Sequence, residues 1–213
     1  DLVTHRSGWA CRSGDVTGTE PFVGDATKMD FDIQEAYDRV GVTTDLPLST
    51  NDLLGYIGGL PLAWDPDTTY SYCNHGYMLL GQIIESVYGE AYAAEAENRV
   101  LSHIPDHRFA LGSTRFADRL ENEVRYYHDE DDRVRSVVDE SETVEPPYGY
   151  FNLENRVATA GWVARARDVA GLGRAFLSGA IVGYTDSLME AGIGWSMDFR
   201  DREDATGHTG SLE

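Results

Sequence analysis

Tyr72-Cys73-Asn74-His75-Gly76-Tyr77-Met78-Leu79-Leu80-Gly81 is the stretch on which the reading of this chain's fold turns. From Gly76 onward, Met78, Leu79, Ile83, Ile84 and Val87 recur on one stripe of a helix, and Gly89 supplies its C-terminal stop. Upstream, Pro61, Asp65-Pro66-Asp67 and Thr68-Thr69 mark a turning segment that leads into Tyr70-Ser71-Tyr72. Tyr72 is therefore predicted on a loop that feeds a helix. In an extended loop, side chains two residues apart project to the same side, which pairs Tyr72 with Asn74. Asn74 also suits a cap for a helix starting near Gly76.

Working outward, a helical stretch is expected from about Asp32 to Arg39, and Thr50-Asn51-Asp52-Leu53-Leu54 is expected to cap and begin another. A further helix from Tyr92 to about Leu101 is predicted to pack beside the first and to carry Glu95, Glu97 and Arg99 outward. Residues 113–147 are polar. There Val124-Arg125-Tyr126-Tyr127 and Val134-Arg135-Ser136-Val137-Val138 flank Asp129-Glu130-Asp131-Asp132, which reads as a surface hairpin or a long excursion. The acidic tip has oxygen ligands for a hard cation, but such a run is ordinarily a solvated loop, and the reading calls for no metal. Val169, Leu172, Ala175 and Phe176 predict a helix with one buried face, starting near Asp168. Ile193, Trp195 and Met197 alternate with polar or small residues as a strand does, and the end of the chain is expected to form a β-hairpin.

The 213 residues suffice for one domain with a substantial core. A net charge of −20 disfavours nucleic acid and anionic membranes as partners, and no apolar run reaches the length of a membrane span. Sixteen arginines against the single Lys28 point to GC-rich codons or a salt-rich cytoplasm, with halophile adaptation preferred. Cys11 and Cys73, far apart in sequence, read as free thiols. A cytoplasmic location is favoured, any signal peptide lying upstream of Asp1. Both ends read as cut. The oligomeric state is left open.

Tyr72-Cys73-Asn74 and His208-Thr209-Gly210-Ser211 together carry most of what an acyl-transfer site needs, except a nucleophile. Three residues before Lys28 stands Asp25, so no Ser-x-x-Lys exists in the chain. His5 and Ser7 lie too close together to serve as a catalytic pair. His75, His103, His107 and His128 show no ligand spacing with cysteines and read as surface or packing residues.

The order of Asp1-Leu2-Val3-Thr4-His5-Arg6-Ser7-Gly8, Tyr72-Cys73-Asn74-His75-Gly76-Tyr77-Met78-Leu79-Leu80-Gly81, Ala160-Gly161-Trp162 with Asp168, Gly192-Ile193-Gly194-Trp195 and Gly207-His208-Thr209-Gly210 resembles that of serine hydrolases of the class C β-lactamase and penicillin-binding protein superfamily. The resemblance covers the whole chain. It implies an α+β fold: an antiparallel sheet with flanking helices and a mainly helical region, the cleft between them. It would be incomplete at both ends, and a fragment with such exposed edges would be poorly stable alone. The chain would be one partial domain, mainly helical to about residue 160, with a helix and the start of the sheet over about 161–213.

The resemblance further implies that Tyr72 takes the proton from a serine lying before Asp1 and returns it to the leaving group. A phenol needs cationic neighbours for that. A lysine outside the chain would be one, and His208 the second. Asn74 would hold a substrate carbonyl or that lysine. Thr209 and Gly210 would line the substrate, with the Ser211 backbone amide as an oxyanion donor. Histidine where β-lactamases have lysine shifts the expectation toward esters, amides and D-amino-acid peptides rather than β-lactams alone. No cofactor is implied. Cys73 stands where the family has serine or alanine, and Trp162, where a second glycine is common, would fill a core or rim the cleft. Tyr148-Gly149-Tyr150-Phe151 would line an acyl pocket or cover the sheet. The contrasting reading is a non-catalytic binding module of the same fold, and these residues alone are expected to be inactive.

Overall fold

A computed structural model describes residues 1–12, 46–128, 133–139 and 141–181. The helix expected over 32–39, the acidic tip at 129–132, and the strand and hairpin expected from Ile193 onward lie outside these residues. Among the described residues there are four α-helices: α1 (Thr50–Gly59), α2 (Asn74–Tyr88), α3 (Tyr92–Arg99) and α4 (Ala166–Leu177). Four short strands, β1 (Ala110–Leu111), β2 (Val134–Arg135), β3 (Thr143–Val144) and β4 (Trp162–Val163), pair antiparallel as β1–β4 and β2–β3. The class is α+β, as expected. The chain divides into two compact units, Asp1–Tyr92 with Ala110–Val163, and Ala93–Phe109 with Ala164–Glu213.

In the first unit, α1 begins one residue earlier than the sequence suggested. Ser49 is its N-cap, accepting from the Asp52 amide, while the Asp52 carboxylate accepts from the Ser49 amide 2.9 Å away. This reciprocal box satisfies two of the donors that a helix start leaves open. Leu53, Tyr56 and Ile57 recur at three and four residues and are buried, forming a core with Leu48, Met78 and Val137. Burial of each large aliphatic side chain here contributes about 1.5–3 kcal/mol.

Val137 corrects the reading of residues 113–147 as a purely surface feature, since it is 4% exposed within this core. The hairpin also has a different register. Val134 pairs with Val144 and Arg135 with Thr143, while Val124–Tyr127 form no strand and Tyr127 is 80% exposed. Two-residue strands carry too little alternation to reveal their partner, and the partner here follows the acidic tip by a dozen residues. Tyr148 and Phe151 are buried. The Tyr148 hydroxyl accepts from the Tyr126 amide at 2.6 Å, and Tyr150 packs against the core. Trp162 is half-buried in β4, donating from Nε1 to the Val157 carbonyl at 2.8 Å.

Helix α2 ends, as predicted, at Gly89, which takes a left-handed φ of +74°. Its buried face matches the predicted one only in part, Met78 lying in the core with Leu79 packed against it. His75, Gly76, Met78 and Gly81 face inward, whereas Ile83 and Val87 are 50% and 68% exposed. The cause is close backbone approach, because a Cβ on Gly81 would lie 2.5 Å from that of Ala158. A glycine contact draws the helix in along a line that a hydrophobic pattern does not mark. Gln82 and Glu85 flank that line, and the Glu85 carboxylate accepts from Gln82 Nε2 and from the Tyr92 amide, both at 2.8 Å.

In the second unit, Glu95 of α3 is buried rather than outward-facing, and it is ion-paired with Arg99 one turn on. Glu97 and Arg99 are exposed, as expected. Helix α4 keeps its predicted face at Ala175 but is rotated away from it at Val169. Val169 is 47% exposed, while Asp168 and Ala175 are buried and a Cβ on Gly171 would meet Ile104 at 2.8 Å.

Asp168, at N3 of α4, fixes this rotation. Its carboxylate accepts from Arg165 Nε at 2.7 Å, from Arg165 Nη2 at 2.8 Å and from the Arg108 amide at 3.2 Å. The Arg165 hydrogen bonds lower its pKa from 3.8 to about 2, burial opposes them, and the Arg108 amide assists. Because the folded value lies below the unfolded one, the stabilisation is complete above pH ~4 and is lost as pH falls toward ~2. Asp168→Asn is expected to lower the melting temperature at neutral pH and to flatten the fall in stability over that acid window, measured by thermal unfolding at stepped pH. Ile57→Ala, at a side chain only 1% exposed, should cost about 2–5 kcal/mol in urea unfolding.

Candidate active site

Tyr72 sits on the extended residue before Cys73, and Cys73 is the N-cap of α2 with φ −145° and ψ 117°. The helix starts at Asn74 itself, so Asn74 is not its cap, and Cys73 offers no side-chain cap hydrogen bond. The Tyr72 hydroxyl donates to Asn74 Oδ1 at 3.2 Å, and the ring is 43% exposed. The structure thus joins two of the predicted site residues on one surface. His208, Thr209, Gly210 and Ser211 lie outside the described residues.

The backbone along this segment alternates. Tyr72 and Asn74 face the site, while Ser71, Cys73 and His75 are each 1% exposed. Cys11 and Cys73 are not free thiols: they form a disulfide with Cα atoms 5.3 Å apart, closing a loop between residues 62 apart in sequence. That separation is what hid the pair, since sequence distance says nothing of spatial distance. A disulfide of this kind belongs to oxidising surroundings. His75 is buried, as a packing residue would be, with its Nδ1 4.0 Å from Cys11 Sγ.

His5 knits the first residues of the chain to the loop that enters α2. Its Nδ1 accepts from the Cys73 amide at 3.2 Å, and its carbonyl accepts from the Ser71 amide at 2.9 Å. Its ring lies against Tyr72 with centroids 4.5 Å apart and against Tyr77 at 5.0 Å. Burial lowers the His5 pKa, so the neutral ring, protonated on Nε2, is favoured. The Tyr77 hydroxyl donates to the Val3 carbonyl at 2.9 Å, and burial raises its pKa, with Tyr72 and Tyr70 adding to the shift.

His5 holds φ +54°, a left-handed conformation that histidine tolerates better than most residues. Three residues on, Gly8 takes φ +95°, where a Cβ would meet the Trp64 carbonyl at 2.6 Å. The signal for this turn was present in His5-Arg6-Ser7-Gly8. Arg12, one residue past the disulfide, places its guanidinium 5.7 Å from the centre of the Tyr72 ring, within cation–π range. No motif announced it.

Among the described residues, a concavity of about 280 Å³ lined by Ser49, Met78, Gln82, Glu85 and Asn155 excludes both Tyr72 and Asn74. No described helix is long and apolar enough to cross a membrane.

The sequence matches the family described as Beta-lactamase over residues 1–211. The chain belongs to the beta-lactamase family. Members of that family are serine hydrolases. Solved structures with a similar fold include the penicillin-binding protein of Bacillus halodurans, 17% identical with a TM-score of 0.51 over 84% of this chain and 46% of that one. The D-amino acid amidase of Ochrobactrum anthropi SV3 is 18% identical, with a TM-score of 0.51 over 84% and 43%. The D-stereospecific amidohydrolase of a Streptomyces species is 16% identical, with a TM-score of 0.50 over 96% and 53%. The chain spans about half the length of these proteins. No curated protein matches it.

In this beta-lactamase-family chain, the disulfide anchors the segment that carries Tyr72 and Asn74. Cys11→Ser is expected to lower stability under non-reducing conditions by about 2–5 kcal/mol, read by urea unfolding, with a correspondingly smaller effect when both proteins are reduced.

Proposed function

We propose that this chain is part of a serine hydrolase that cleaves carboxylic esters or amides through an acyl-enzyme. The observation that carries the reading is the Tyr72–Asn74 pair, joined at 3.2 Å on the loop entering α2, in a chain of the beta-lactamase family. The chain contains no Ser-x-x-Lys, so the nucleophilic serine lies outside these residues.

Tyr72 accepts the serine proton as the hydroxyl attacks the carbonyl carbon, then delivers it to the leaving alkoxide or amine when the tetrahedral intermediate collapses. The exposure of the Tyr72 ring leaves its hydroxyl within reach of a substrate. Asn74 holds the substrate carbonyl or the neighbouring lysine. His208 is the second cationic partner of the phenol, the Ser211 amide stabilises the oxyanion, and Thr209 with Gly210 lines the bound substrate. The substrates are small molecules. Amides with a D-configured residue are the first to try, since two proteins of similar fold are a D-amino acid amidase and a D-stereospecific amidohydrolase. Simple esters and β-lactams follow.

A second reading, a binding module that keeps the cleft without the chemistry, is favoured by the missing Ser-x-x-Lys alone. A full-length protein decides between them. Labelling by a fluorophosphonate and turnover of short nitrophenyl esters or D-amino-acid amides are expected, with Tyr72→Phe lowering kcat/KM by about 10²–10⁴-fold. Neither labelling nor turnover would leave only the binding module, and turnover that Tyr72→Phe leaves unaltered would remove Tyr72 from the chemistry.

A further inference from the structure

Behind the Tyr72–Asn74 face lies a cluster that hydrolysis does not use. Cys11 Sγ, Cys73 Sγ and His75 Nδ1 all lie within 4.8 Å of one another, with Cys73 and His75 buried and Cys11 half-buried. We infer that these three residues form a thiol-dependent zinc site, occupied when the Cys11–Cys73 disulfide is reduced.

Two thiolates and an imidazole are ligands that zinc prefers, and three protein ligands with water in the fourth position are a recurrent zinc arrangement. With Zn–S near 2.3 Å and Zn–N near 2.0 Å, a tetrahedral site needs its sulfurs about 3.8 Å apart and each sulfur about 3.5 Å from the nitrogen. The Cys11 Sγ to His75 Nδ1 distance of 4.0 Å already approaches this. The two sulfurs must separate and both must close on Nδ1 by small shifts, for which loss of the S–S bond frees rotation about each Cα–Cβ bond. The half-burial of Cys11 leaves access for the water. A net charge of −20 concentrates cations at the surface.

The electron balance is simple. A dithiol reductant gives two electrons and two protons to the S–S bond and leaves as its own cyclic disulfide. Zinc then displaces the two thiol protons. The residues flanking the tethered positions, Arg12, Tyr72 and Asn74, would thus be held by a covalent bond in one redox state and by a metal in the other.

The test uses the full chain, first oxidised and then reduced and freed of reductant, each titrated with zinc against a chromogenic chelator and with cobalt(II) by absorption. A thiol reagent should count no thiols in the oxidised chain and two in the reduced one, because the chain has two cysteines. The reduced chain should take up one equivalent of zinc and give a thiolate-to-cobalt charge-transfer band, and the oxidised chain should do neither. His75→Gln should weaken zinc binding in the reduced chain by at least the roughly 10- to 100-fold that losing an outer-shell partner costs. Equal uptake by the oxidised and reduced wild-type chains, or no uptake by the reduced one, would overturn the inference without reference to any variant. Equal affinity in reduced Cys73→Ser and wild type would overturn it as well.

Discussion

Covalent closure between Cys11 and Cys73 is the constraint around which the candidate site is arranged. It brings the first residues of the chain against the start of α2, and hydrogen bonds complete the attachment. His5 takes the amides of Ser71 and Cys73 through its carbonyl and ring nitrogen, and Ser71 Oγ takes the amide of Cys11 at 3.3 Å. Buried backbone donors that would otherwise weaken a loop entering a helix are thereby satisfied. The segment is held from behind, and on the opposite side Tyr72 is exposed and Asn74 half-buried.

The alternation from residue 71 to 75 divides labour between the two sides of one short segment. Buried Ser71, Cys73 and His75 anchor it, while Tyr72 and Asn74 carry the proposed chemistry. Groups that position a reactive side chain work best when their own rotamers are locked. Here the locking comes from a disulfide, from ring contacts of His5 with Tyr72 and Tyr77, and from backbone in the left-handed region at His5. A strained residue of this kind persists only where its surroundings over-determine it.

Much of this was legible before any coordinates. The loop position of Tyr72, its pairing with Asn74, the helix that follows, the stop at Gly89 and the place of Asp168 near a helix start all follow from local spacing and turn chemistry. What escaped was non-local. The faces of α2 and α4 were misjudged in part because Gly81 and Gly171 let neighbouring residues approach where a hydrophobic pattern shows nothing. Glu95 turned inward because Arg99 sits one turn away to neutralise it. The β2–β3 register and the Cys11–Cys73 bond join positions whose proximity depends on the whole path of the chain between them, and Arg12 meets Tyr72 beside that bond.

The same bond has a topological consequence for the intact molecule. Every peptide bond between Cys11 and Cys73 lies within a covalent ring, so a protease that nicks the backbone there opens the ring without releasing a piece. The clipped protein would keep its mass in a denaturing gel run without thiol and separate into two bands only once thiol is added. A single cut in that span therefore sheds no fragment, whereas a second one frees the peptide between the two cuts.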